Sequence, residues 1–327
     1  MDFINSFKSK IFKTNIQNFH DHALSLFYWQ AEHNNTYRQY LECLGCYPHN
    51  IHDIEAIPFL PIQFFKSHHV RAGEYEAKTI FSSSGTTGVA VSKHAMEDVS
   101  FYHNVSEMAF TRVFGELNGS VVLGLLPSYL ERNNSSLVAM VDHFIHLTKH
   151  PDSGFYLHEY SKLYQVLVKL KSTNSHVFLF GVTFALLDFA SKFTIDMPNL
   201  TILETGGMKG KGKELVRDEL HEVLRQSFKN SRISSEYGMT ELMSQAYMLG
   251  DGFFHPPPWM KVLIRDQYDP FTILPPERHG GLNIIDLANI HSCAFIESED
   301  LGISGGERFK VLGRMDNSDI RGCNLLV

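Results

Sequence analysis

Residues 82–93 read Ser-Ser-Ser-Gly-Thr-Thr-Gly-Val-Ala-Val-Ser-Lys. A run of small hydroxyl residues and glycines lets a backbone close around phosphate oxygens, because glycine tolerates the required dihedrals and N–H groups can point inward. The apolar stretch Thr79-Ile80-Phe81 precedes it and a polar segment follows, so the expected order is strand, loop, helix. It is not a Walker loop, since Gly-Lys-Ser/Thr does not close it. By itself such a cluster also fits an ordinary surface turn. A second element narrows the choice: residues 234–241 read Ser-Ser-Glu-Tyr-Gly-Met-Thr-Glu. They place a hydroxyl, an aromatic and a carboxylate at the end of a strand expected over Arg232–Glu236.

The chain has 327 residues, enough for one large or two ordinary domains, and 43% of them are hydrophobic, enough for a substantial core. A net charge of −7 without a dense Lys/Arg cluster argues against a nucleic-acid surface and for small substrates. Met1 to Phe27 mixes Lys8, Lys10, Lys13, His20 and Asp21 among its apolar residues, so neither a signal segment nor a membrane span is expected. Cysteines at 43, 46, 293 and 323 are too scattered for a disulfide framework, which fits a reducing, cytoplasmic setting. Cys43, Cys46, His49 and His52 have pair spacings shorter than usual zinc sites.

Residues 3–47 show apolar side chains at three-and-four spacing, as in Leu24, Phe27, Tyr28 and Ala31, and predict two or three helices within an N-terminal segment 1–50. The prolines of Ile57-Pro58-Phe59-Leu60-Pro61 exclude helix and make this stretch a rigid connector. From there an α/β domain over 51–327 is expected. Apolar runs alternate with amphipathic stretches: Val121–Leu126, Ser136–Leu147, His176–Val182, Phe184–Phe193, Leu200–Glu204 and Lys213–Phe228. That alternation signals βαβ units around a largely parallel sheet. After about 253 the pattern turns to short strands, Lys261–Arg265 and Gly281–Ile285, between Pro and Gly turns.

Taken together these motifs resemble the adenylate-forming enzymes. Their phosphate loop is similar to Ser83-Ser84-Gly85-Thr86-Thr87-Gly88, and their YGxTE motif to Tyr237-Gly238-Met239-Thr240-Glu241. Glu299-Asp300-Leu301-Gly302 resembles their ribose-binding segment, and Gly313-Arg314-Met315-Asp316 their hinge. Within the superfamily, the chain resembles the acyl-protein synthetases of LuxE type, which join long-chain fatty acids to a protein. That likeness rests on residues 57–62 with Phe65-Lys66, on Leu126-Pro127-Ser128-Tyr129-Leu130-Glu131-Arg132, on Glu204-Thr205-Gly206-Gly207-Met208-Lys209-Gly210 and on Arg321-Gly322-Cys323.

The resemblance implies the N-terminal domain of an adenylate-forming enzyme: mixed sheets flanked by helices, then a small β-rich portion. It also implies ATP and Mg²⁺ as cofactors, a fatty or other carboxylic acid as substrate, and an acyl reductase or acyl-carrier protein as partner. Ser83, Ser84, Gly85, Thr86, Thr87 and Gly88 would take the β and γ phosphates, and Thr240 the α-phosphate. Glu241 would hold Mg²⁺, Tyr237 would stack on adenine, and Gly206 and Gly207 would line its pocket. Asp300 would accept from the ribose hydroxyls, as suits a carboxylate with two acceptor oxygens, and Arg314 belongs to the hinge. Cys323, beside Arg321, would take the acyl group as a thiolate.

The usual small C-terminal domain with its adenylation lysine is not expected, since the sequence given stops eleven residues after Asp316 and no lysine follows Lys310. Lys93 and Lys209 are the candidate replacements. Two rival readings stay open, a ligase of the same fold using coenzyme A or another small acceptor, and a non-catalytic nucleotide- or acyl-binding subunit.

Overall fold

The computed structural model describes residues 3–83, 90–127, 134–206 and 217–315. Three helices open the chain, α1 (Phe3–Ile11), α2 (Phe19–His33) and α3 (Asn35–Cys43), followed by β1 (Leu60–Pro61) and the single turn α4 (Phe64–Ser67). The hairpin β2 (Thr79–Ser82) and β3 (Lys93–Met96) leads to α5 (Val99–Phe114). Next come β4 (Val121–Leu125), α6 (Ser136–Thr148), β5 (Gly154–Phe155), α7 (Tyr160–Leu170), β6 (Val177–Val182), α8 (Thr183–Lys192), β7 (Ile195–Asp196), β8 (Leu200–Thr205), α9 (Arg217–Ser227), β9 (Phe228–Lys229) and β10 (Arg232–Tyr237). The remainder is strand: β11 (Ala246–Met248), β12 (Phe254–His255), β13 (Met260–Arg265), β14 (Ile273–Leu274), β15 (His279–Asp286), β16 (Phe295–Ser304) and β17 (Phe309–Arg314).

One mixed sheet runs β14-β13-β15-β16-β17-β12-β11-β10-β8-β6-β4-β5, with β1 added parallel to β16. β4 and β6 read as uninterrupted apolar runs, and every residue in β4, β6 and β8 is buried, as expected of parallel strands covered on both faces. Alternation sorts the two faces. Phe178 and Phe180 meet Phe110 of α5, whereas Gly181, on the other face, lies under Leu186 of α8. Parallel pairing ends at β10, which is parallel to β8 on one edge and antiparallel to β11 on the other.

The connector 57–61 does more than connect. Leu60 and Pro61 pair with Ile296 and Glu297, and proline fits there because the strand has only one neighbour. The N-terminal helices pack on the β-rich portion: Phe27 and Tyr37 surround Phe295, while the buried Gln30 donates to the Asn289 and Ile290 carbonyls and accepts from the Ala294 N–H. Two expectations are corrected. The strands after 253 are not all short, since β15 has 8 residues and β16 has 10. The hydroxyl-rich loop leads into a second strand rather than a helix, because Lys93–Met96 alternates and zips antiparallel onto Thr79–Ser82; α5 starts only at Val99.

Candidate active site

The stem of the hydroxyl-rich loop is closed at its foot. Ser83 N–H donates to the Ser92 carbonyl at 3.1 Å and Ser92 N–H to Ser83 Oγ at 3.0 Å. Ser92 and His94 are buried and Lys93 between them is exposed, so the Lys93 side chain leaves the hairpin on the opposite face. Ser84–Gly88 lie outside the described residues, as do Gly207, Lys209, Asp316 and Cys323. Gly206 is described at φ +61°, left-handed backbone that glycine adopts readily; its carbonyl accepts from Thr183 Oγ1 at 2.6 Å.

Ser92 meets the second motif. Its side chain hydrogen-bonds the Glu241 carboxyl, which is only 5% exposed; burial raises the pKa of that carboxyl, and the Ser92 bond with the positive charges of Lys66 and Arg314 opposes the rise. The backbone of the motif is pinned from two sides. His94 Nδ1 donates to the Thr240 carbonyl at 2.8 Å, and Asn289 Nδ2 donates to the Glu241 carbonyl at 2.7 Å. Burial lowers the His94 pKa to about 4, so the ring is neutral and its Nδ1–H is the donor. Behind the motif, the fully buried Asp286 accepts from the Met243 and Ser244 N–H groups, each at 2.9 Å, from Ser244 Oγ at 2.7 Å and from the Ala288 N–H at 3.1 Å.

Tyr237 and Asp300 are joined directly, the phenol donating to Asp300 Oδ2 at 2.7 Å. The Tyr237 ring packs against Phe254 and Phe309. Burial raises the pKa of Asp300. Arg314 pairs across β16 and β17 with Asp300, its Nε 3.5 Å from Oδ1 and its Nη2 3.6 Å from Glu299 Oε2, while remaining 73% exposed. Glu299 is also held by Gln63 Nε2 at 2.7 Å.

Ser83, Glu241, Thr240, Tyr237, Asp300 and Arg314 therefore form one linked group, and Lys93 stands apart from it. Lys66, Ser92, His94 and Asn289 belong to the same group and were not assigned a site role from sequence. Lys66 had a signal in its place beside the Pro-rich connector; Asn289 had none. His68 stacks on Phe64 and bonds Ser67.

Solved structures similar to this chain include ligases and a luciferase-like protein. A 2-hydroxyisobutyryl-CoA ligase in complex with 2-HIB-AMP and CoA matches with a TM-score of 0.68 and 15% identity, over 97% of this chain and 70% of that one. ATP-bound MatB from Rhodopseudomonas palustris gives a TM-score of 0.55 and 16% identity over 74% of this chain and 49% of that one. The luciferase-like enzyme from the nonluminescent Zophobas morio mealworm gives 0.53 and 16% over 74% and 58%. At such identities the likeness is one of fold, and the chain spans about half the length of MatB. Comparison with curated proteins finds no match. The profile of the acyl-protein synthetases, LuxE, matches residues 2–327, and the chain belongs to that family.

Proposed function

We propose that the protein is an ATP-dependent acyl-activating ligase that forms an acyl-adenylate from a fatty or related carboxylic acid and passes the acyl group to Cys323. The observation that carries this reading is the meeting of the hydroxyl-rich loop's foot with Glu241 through Ser92, alongside the Tyr237–Asp300 pair. A nucleotide needs its phosphates and its ribose held at once, and these two pairs come from stretches far apart in the chain.

In the first step a carboxylate oxygen of the acid attacks the α-phosphorus and pyrophosphate leaves. The task of the protein is alignment and charge neutralisation. Lys66 and Arg314 are the positive groups that act on Glu241, and we assign them the role given to Lys93 on sequence grounds. Glu241 would hold Mg²⁺. A single protein carboxylate suits this ion, which takes its other ligands from phosphate oxygens and water, and no cluster of three His, Cys, Asp or Glu is needed or present among the described residues. In the second step the Cys323 thiolate attacks the acyl carbon, AMP leaves, and a thioester forms. An acyl reductase or carrier protein would then accept the acyl group.

No described helix is long and apolar enough to cross a membrane, and the cysteine usage supports a cytoplasmic setting. Acid-dependent exchange of labelled pyrophosphate into ATP tests the first step. Hydroxylamine-labile labelling of the protein by fatty acid and ATP, lost in Cys323→Ser, tests the second. Full product formation by that variant with a small thiol would favour coenzyme A-type ligation instead.

A further inference from the structure

On the α5 face of β8 and β10 lies a polar cluster that the adenylation steps leave unused. Glu236, 8% exposed, accepts a hydrogen bond from Thr205 Oγ1, and its other oxygen sits so close over Gly238 that a Cβ there would collide with it. Gln245, 4% exposed, lies across the same turn, with Cγ 3.3 Å from where that Cβ would stand. Its Nε2 lies 3.4 Å from the Tyr102 hydroxyl, which is itself committed to the Ser136 carbonyl at 3.0 Å, and its Oε1 has no hydrogen-bond partner.

The cluster is short of donors. Burial raises the Glu236 pKa to about 7, the Thr205 bond opposes the rise, and the charge that bears on it is that of Glu204, a second carboxylate. A buried acceptor without a donor, as Gln245 Oε1 is, is costly and rare unless a ligand completes it. The place is suited to a ligand: β10 is where the sheet changes from parallel to antiparallel, and Glu236 stands at its carboxyl end, four residues before Thr240. Beneath it the core is aromatic, with the fully buried Tyr247 packed on Phe110 and Phe110 on Phe180.

We propose that Glu236 and Gln245 recognise a hydrogen-bond donor on the acid substrate, a hydroxyl or an ammonium close to its carboxyl group. This rests on the acyl-activation reading and narrows it from fatty acids in general to acids substituted near the carboxyl.

The test uses a straight-chain acid with its 2- and 3-hydroxy and 2- and 3-amino derivatives, in pyrophosphate exchange and in thermal-shift binding without ATP. At least one derivative should exceed the parent acid by about tenfold or more in kcat/KM, because a site built to bond a group rejects analogues that lack it. Glu236→Ala and Gln245→Leu should shrink that ratio toward one. Glu236→Gln, which keeps an acceptor and removes the charge, should abolish a preference for amino acids but spare one for hydroxy acids. Equal or better use of the parent acid by the wild-type protein overturns the proposal, as does a preference that survives both Glu236→Ala and Gln245→Leu. If a variant does not fold, the wild-type ratio alone decides. Exchange absent with every acid, while substituted acids still shift the melting temperature through Glu236, would sink acyl activation and uphold this site.

Discussion

The half of the sheet built from β4, β6, β8 and β10 and the half built from β11 to β17 do different jobs with different forces. In the parallel half the strands are almost wholly buried; β4 and β6 are held by apolar packing, and polar residues enter only in β8 and β10, at Thr201, Glu204, Thr205, Arg232, Ser234, Ser235 and Glu236. In the antiparallel half, buried polar anchors carry the geometry: Asp286 with four donors, Asn289 bonding the Glu241 and Cys293 carbonyls, and Arg265 bonding the Leu282 and Ser298 carbonyls. The first half brings polar strand ends together at Glu204 and Glu236, and the second pins the backbone around Glu241. Packing tolerates exchange of one hydrocarbon for another, whereas an anchor holds one register.

The sharpest break in that division falls at Glu241. Glu241→Gln should lower pyrophosphate exchange by on the order of 10²–10³-fold, the cost of losing one electrostatic stabiliser of a transition state. Its melting temperature should be no lower than wild type, because burial already disfavours the charged carboxyl. An unchanged exchange rate would remove Glu241 from the mechanism.

Two substitutions compare the halves directly. Leu179→Ala, in the middle of β6 and fully buried, should cost about 2–5 kcal/mol in urea unfolding. Its KM for ATP should stay put. Asp286→Ala should cost on the order of 3 kcal/mol, since it strands four buried donors, and should also raise KM for ATP because the loop after Glu241 loses its anchor. Equal effects on KM would erase the distinction between packing and clamping.

A smaller effect lies at Glu236. Its folded pKa of about 7 stands above the ordinary 4.5, so in that window the folded chain keeps a proton the unfolded chain has released. Stability therefore falls as pH rises toward 7, by roughly 1.4 kcal/mol per pH unit relative to Glu236→Gln. Parallel pH profiles for the two proteins would show that the carboxyl is not buried as described. The least effect is expected at Arg314, whose side chain is 73% exposed: Arg314→Ala should change stability by less than about 1 kcal/mol while weakening ATP use.

Much of this architecture was legible without coordinates. The runs at 121–126 and 177–182 announced buried strands because their apolar character has no gaps, and the helices between them showed their period. The hairpin after Ser82 was misjudged as a helix entry because four alternating residues, Lys93–Met96, are too few to stand out until Thr79–Ser82 pairs with them. Nothing local told that Phe254 and Phe309 would flank the Tyr237 ring.

What the sequence determined by itself was local: helix and strand periods, proline-imposed extension at 57–61, and the hydroxyl, aromatic and carboxylate types that nucleotide chemistry uses. Tertiary structure decided which of them meet. Asn289 reaches Glu241 across 48 residues, His94 reaches Thr240 across 146, and Gln30 reaches Ala294 across 264. Such contacts leave no periodic trace in the chain, because they depend on where the sheet reverses direction at β10 and on which strand ends that reversal brings face to face.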